Sequence, residues 1–111
     1  PSVVTAYKED PLVHGKVSAR WGTESLSVLE SVKKQGENIN IPILMIHGEA
    51  DRLGSVEGAK KFFDQIRCDD KEFISYPGGY HELHHDLDAE KMLSNLLDWI
   101  NRNVEPKSLP L

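Results

Sequence analysis

The chain has a single cysteine, no surplus of basic charge and no long apolar run, and each shortage removes a class of protein. Cys68 is alone among 111 residues, which excludes an internal disulfide framework and leans toward a reducing compartment. Lys and Arg number 13 against 18 Asp and Glu, for a formal net charge of -5. No nucleic-acid partner is expected, because a phosphate backbone calls for a basic patch. No apolar stretch approaches the length of a membrane span, and no signal-peptide pattern is present. Internal repeats and low-complexity segments are also missing. The length allows one domain at most, with a modest core. The chain starts at Pro1 rather than a methionine, which fits processing or a piece of something longer.

What is present is organised around Ile41-Pro42-Ile43-Leu44-Met45-Ile46-His47-Gly48-Glu49-Ala50-Asp51. Its apolar residues fall on both parities, so the run reads as a strand covered on both faces, as in parallel sheets sandwiched between helices. Pro42 is expected at the strand's start, where a missing donor is tolerated. Asp51 follows directly, and in open α/β sheets chemistry collects beyond the carboxyl ends of the strands.

Before this strand, Pro1, Asp10-Pro11, Gly15 and Gly22 break residues 1–22 into loop with at most one turn of helix. Thr23 is expected to cap a helix carrying Leu26, Val28, Leu29 and Val32, ending near Gly36. After Asp51, Ser55 caps a helix with Val56, Ala59, Phe62, Phe63 and Ile66 on one face. Lys71–Tyr76 reads as a second strand, stopped by Pro77-Gly78-Gly79. A last helix is expected from about Asp88 to about Asn103, with Leu87 and Met92 stapling its start. Its apolar stripe is Met92, Leu93, Leu96, Leu97, Ile100 and Val104, with Trp99 at the margin. The fold class is α/β, two parallel strands with flanking helices joined by a right-handed crossover. Such a narrow sheet leaves apolar faces and both edges uncovered, the mark of a partial domain.

Asp51 follows the first strand and His81 the second, 30 residues later. Side by side at one sheet edge, the carboxylate would accept from the imidazole Nδ1–H and leave Nε2 free as general base. The alternative at this point is a surface Asp in a turn and an unrelated loop His.

Gly48-Glu49-Ala50-Asp51-Arg52-Leu53 and Tyr76-Pro77-Gly78-Gly79-Tyr80-His81-Glu82-Leu83 resemble the acid and histidine motifs of the monoacylglycerol lipase/lysophospholipase group of α/β-hydrolases. The resemblance runs from about Asp10 to Val104. It implies that residues 1–22 are a remnant of the cap and its connection, and residues 23–111 the C-terminal part of the hydrolase core. It makes Asp51 the triad acid and His81 the triad base, with Leu53 and Leu83 near the acyl pocket. The implied substrate is a lipid ester, monoacylglycerol or lysophospholipid, with no cofactor and no metal in the site. Transient contact with a membrane surface through the cap, and a cytoplasmic or membrane-peripheral location, follow from the same resemblance.

The family's nucleophile sits in a G-x-S-x-G elbow. No serine of this chain has glycines at both flanking positions. The chain is therefore expected to be the C-terminal part of a serine hydrolase, inactive alone because acid and base cannot run a covalent mechanism without a nucleophile. A non-enzyme alternative is a truncated binding module that self-associates through its uncovered edges. A third is metal binding, since His81-Glu82-Leu83-His84-His85 matches H-E-x-x-H. That chemistry needs the motif inside a helix, and Pro77-Gly78-Gly79 lies just upstream. Asp86, Asp88 or Glu90 would have to serve as the third ligand. In the solvated-loop reading of this segment, those three acids instead favour the N-terminus of the last helix.

Overall fold

The computed structural model describes residues 2–104. The last residues of the expected core segment, 105–111, lie outside the described residues. The chain divides into two compact units, residues 1–34 and residues 35–111.

The first unit holds two helices, α1 (Ser2–Glu9) and α2 (Ala19–Val32). Residues 2–9 thus form two turns of helix where the sequence suggested loop. Helix α2 starts earlier than expected, because Ser18, not Thr23, is its cap. Ser18 Oγ accepts from the Trp21 amide at 3.1 Å, satisfying one of the free donors of the first turn. Thr23 lies inside the helix, where its hydroxyl donates back to the Arg20 carbonyl at 3.0 Å. Gly22 is carried along in the helical interior. Trp21, Leu26, Val28 and Leu29 are all more than half exposed.

The second unit contains strands β1 (Ile43–Gly48) and β2 (Lys71–Tyr76), the crossover helix α3 (Val56–Gln65) and the terminal helix α4 (Ala89–Val104). Short 3-10 turns lie at Gly36–Asn38 and Leu83–His85. Strand β1 begins just past Pro42. The strands are parallel, with Ile43 opposite Lys71 and Gly48 opposite Tyr76. The expected Ser55 cap forms, accepting from the Gly58 amide at 3.1 Å.

This register sorts the side chains, because partners in a parallel pair share a face. On one face Phe73 meets Phe63 of α3 edge-on, with centroids 5.5 Å apart. On that face the Lys71 ammonium also donates to the Phe63 and Ile66 carbonyls at the end of α3 (3.0 and 2.7 Å), satisfying acceptors that the helix leaves open. On the opposite face Tyr76 and Met92 of α4 form the core with Leu83, flanked by Ile46 and Ile74. The Tyr76 hydroxyl accepts from Asn95 at 2.7 Å, so this buried phenol is paired. A helix thus covers each face, but the strand residues before Gly48 and Tyr76 are only partly buried.

Helix α4 departs from the expected stripe. Met92 is buried and Asn95, Leu96 and Trp99 are partly so, which puts Trp99 on the packed face rather than at its margin. Leu93, Leu97, Ile100 and Val104 form a separate apolar row at 50%, 57%, 39% and 72% exposure. The expected staple does not form either: Leu87 is fully exposed, so only Met92 packs.

Candidate active site

The site is built where the loops after β1 and β2 are tied together by backbone. The Glu49 amide donates to the Tyr76 carbonyl (3.0 Å) and the Ala50 amide to the Gly79 carbonyl (2.9 Å). These bonds need Gly48. A β-carbon there would lie 2.3 Å from the Gly79 oxygen and 2.4 Å from the Tyr80 oxygen, both backbone atoms that cannot swing aside. Gly78 turns the second loop at φ 75°, a left-handed geometry that costs little only without a β-carbon.

The crossing loops bring the two expected groups together. His81 Nδ1 lies 2.9 Å from Asp51 Oδ2. The other carboxylate oxygen, Oδ1, accepts from the Leu53 and Gly54 amides at 2.8 and 3.1 Å. The Asp51 side chain is 6% exposed, whereas that of His81 is 58% exposed. The His81 hydrogen bond, opposed by burial and reinforced by the two amides, lowers the Asp51 carboxyl to about 2. The aspartate is therefore ionised at neutral pH, oriented at both oxygens and shielded. An ionised Asp51 accepts from Nδ1–H, which leaves His81 Nε2 unprotonated in the neutral ring.

Asp86 holds the histidine loop from the other side. Its Oδ2 accepts from the Tyr80 amide at 2.7 Å and its Oδ1 from the Leu87 amide at 2.8 Å. Both donations lower its carboxyl below the usual range. Sequence reasoning gave Asp86 to the helix dipole or to a metal, but its carboxylate instead ties the residue before His81 to the start of α4. The pattern that could have revealed it is an acid six residues beyond the Gly79-Tyr80 turn, before a helix cap. Sequence reasoning also missed how close His47 comes to the acid. Its Nδ1 is 2.8 Å from the Gly48 carbonyl, while its Nε2 stands 3.9 Å from Asp51 Oδ2.

Of the two leucines expected near an acyl pocket, Leu53 is 81% exposed beside Asp51, while Leu83 is 7% exposed and belongs to the core. The H-E-x-x-H motif weighed as an alternative is divided: His81 is engaged with Asp51, whereas Glu82, His84 and His85 gather apart from it.

A family model described as "Serine aminopeptidase, S33" matches residues 1–88. The chain belongs to this hydrolase family. It is similar to a monoacylglycerol lipase of Mycolicibacterium smegmatis, 34% identical over 90% of this chain and 36% of the relative. It is also similar to the monoglyceride lipase of Rattus norvegicus, 29% identical over 93% of this chain and 35% of that protein. Among solved structures, the monoacylglycerol lipase of Paleococcus ferrophilus superposes with a TM-score of 0.85 at 32% identity, over 90% of this chain and 39% of that one. The fold is thus that of part of an α/β-hydrolase, with two parallel strands and flanking helices. The chain spans between a third and two fifths of the length of these relatives.

Proposed function

We propose that this chain supplies the acid and base of the catalytic triad of a serine hydrolase acting on lipid carboxylic esters of the monoacylglycerol or lysophospholipid type. The observation carrying this reading is the Asp51–His81 hydrogen bond, which joins a buried, oriented carboxylate to an exposed imidazole across two strand-end loops. In the reaction, His81 Nε2 takes the proton of a serine hydroxyl as that oxygen attacks the ester carbonyl. His81 then gives the proton to the departing alcohol, and a water activated by the same nitrogen hydrolyses the acyl-enzyme. Asp51 remains ionised throughout and stabilises the imidazolium. Leu53 stands on the acyl side of the site, and Leu83 acts from below by anchoring the histidine loop. No metal or cofactor enters this scheme.

The serine and its oxyanion-hole donors lie outside these 111 residues in this reading, so the chain alone is inactive. Residues 1–22 are assigned to the cap and its connection and residues 23–111 to the core, which puts the junction within α2, and the working location is the cytoplasm or a membrane surface. The test is fluorophosphonate labelling and monoacylglycerol hydrolysis, by this chain and by a longer protein extended upstream. The chain alone should neither label nor hydrolyse. The longer protein should do both and should lose about 10⁴-fold or more of its rate on His81→Asn. Full activity in that variant would refute the assignment.

A second reading rests on the exposed α4 row. Leu93, Leu97, Ile100 and Val104 give one continuous apolar stripe, and in isolation such a stripe drives self-association. In the hydrolase reading the remainder of the fold covers it. Sedimentation velocity at rising concentration decides whether the chain self-associates, and a monomer throughout would refute this second reading.

A further inference from the structure

We propose that Glu82, His84 and His85 form a binding site for a divalent first-row transition cation, zinc above all, separate from the Asp51–His81 pair. One ligand atom from each residue lies within 4.8 Å of the other two. The backbone explains the gathering. The His85 amide donates to the Glu82 carbonyl at 2.9 Å, closing a 3-10 turn. With three residues per turn, side chains at i and i+3 eclipse, which puts Glu82 and His85 on one side. His84 joins them through its ring, whose centroid is 4.1 Å from that of His85. Between them Leu83 is buried in the core and fixes the turn.

The donor set of two imidazoles and one carboxylate suits zinc, with a fourth position left to water. Tetrahedral zinc holds its nitrogen and oxygen ligands about 3.3 Å apart, so the three groups must close by about 1.5 Å at most. His84 and His85 are exposed and Glu82 is only partly buried, so side-chain rotation suffices. His81 is not one of the three gathered side chains, and its ring is held instead against Asp51 through Nδ1. The sequence pattern H-E-x-x-H would have used His81 and His85 as the ligand pair; the fold selects a different trio. This inference does not depend on the hydrolase reading, since cation binding is measured without any substrate.

The test is titration of the untagged chain with Zn²⁺ by calorimetry, and with Co²⁺ followed by its visible absorption. One equivalent should bind with Kd of order micromolar. The double variant H84N/H85N should bind at least about tenfold more weakly, with circular dichroism unchanged because both side chains are exposed. The variants H81N, H47N and H14N should bind as the parent does. Three results would overturn the site: Kd weaker than about 1 mM, equal loss in H81N, or undiminished binding by the urea-unfolded chain.

Discussion

Replacing Gly48 by alanine tests how the two loops are held against each other. The new β-carbon would meet the Gly79 oxygen at 2.3 Å, the Tyr80 oxygen at 2.4 Å and the Gly79 carbonyl carbon at 2.5 Å. Ordinary contact begins at 3.4 Å, so the histidine loop must retreat by about 1 Å. Overpacking of this kind costs about 1–3 kcal/mol, and loss of the Ala50–Gly79 hydrogen bond adds about 1 kcal/mol. The sum, about 2–4 kcal/mol, is a large share of the 5–15 kcal/mol that ordinarily separates folded from unfolded protein. With a urea slope of about 2 kcal/mol per molar, the unfolding midpoint should fall by about 1–2 M. The same retreat draws His81 away from Asp51, so the downfield Nδ1–H proton resonance of a hydrogen-bonded imidazole should weaken or disappear. In a catalytically competent longer protein, a 1 Å displacement of the base should cost about 100-fold in rate. An unchanged midpoint together with an unchanged Nδ1–H signal would refute the claim that the glycine holds the loops in place.

Three further outcomes are expected. Ser18→Ala should destabilise α2 by about 1 kcal/mol while Thr23→Ala leaves it unchanged or slightly better, as read by helicity on heating; the reverse order would restore Thr23 as the cap. Because the Asp51 carboxyl is lowered from 3.8 to about 2 on folding, its stabilisation is complete above about pH 4 and is lost as the pH falls through 2. Asp51→Asn should remove that acid-side slope, worth at most about 2 kcal/mol and less for the exposure of His81, in urea midpoints measured from pH 2 to 6. Leu97→Glu should leave the isolated chain's unfolding midpoint within about 0.5 kcal/mol of the parent and lower any self-association seen by sedimentation; a large loss of stability would mean that the α4 row is packed within the chain.

Where local chemistry decides the outcome, the sequence is legible. Strand β2 runs from Lys71 to Tyr76 as expected, since a short segment carrying Phe73, Ile74 and Tyr76 between Asp69-Asp70 and Pro77-Gly78 has little freedom. Ser55 caps α3 because nothing nearby competes with it for the free amides. At α2 two hydroxyl residues compete, and the earlier one caps because the helix tolerates Gly22 and extends back to Ala19. The α4 stripe fails for a different reason. Its apolar residues wrap around more than one face, and periodicity alone does not say which arc meets the sheet. Packing against Tyr76 selects Met92, the Tyr76 hydroxyl takes Asn95, and the partly buried Trp99 follows on the same arc. The Asp51–His81 meeting was one of two readings that strand order left open and the one that the family resemblance implied, but the contacts that enforce it were not anticipated. Gly48 against Gly79, and Asp86 on the Tyr80 amide, are contacts across loops that leave no period in the sequence.

The division of burial between the two groups suits the proposed roles of triad acid and base at a sheet edge. Parallel pairing ends both strands on the same side, so the loops after Gly48 and Tyr76 begin level with each other. The first loop turns inward at once: two backbone amides and the neighbouring loop enclose the Asp51 carboxylate, and each donor stabilises its charged form. The second loop runs five residues, from Pro77 to His81, before its functional side chain, which is long enough to lift the imidazole over the acid and into solvent. In the proposed roles, exchanging the two positions would bury the group assigned to proton transfer and expose the group assigned to stay ionised and fixed. The short inward turn after β1 and the longer glycine-bearing loop after β2 are therefore not interchangeable, and the order acid then histidine along the chain follows from them.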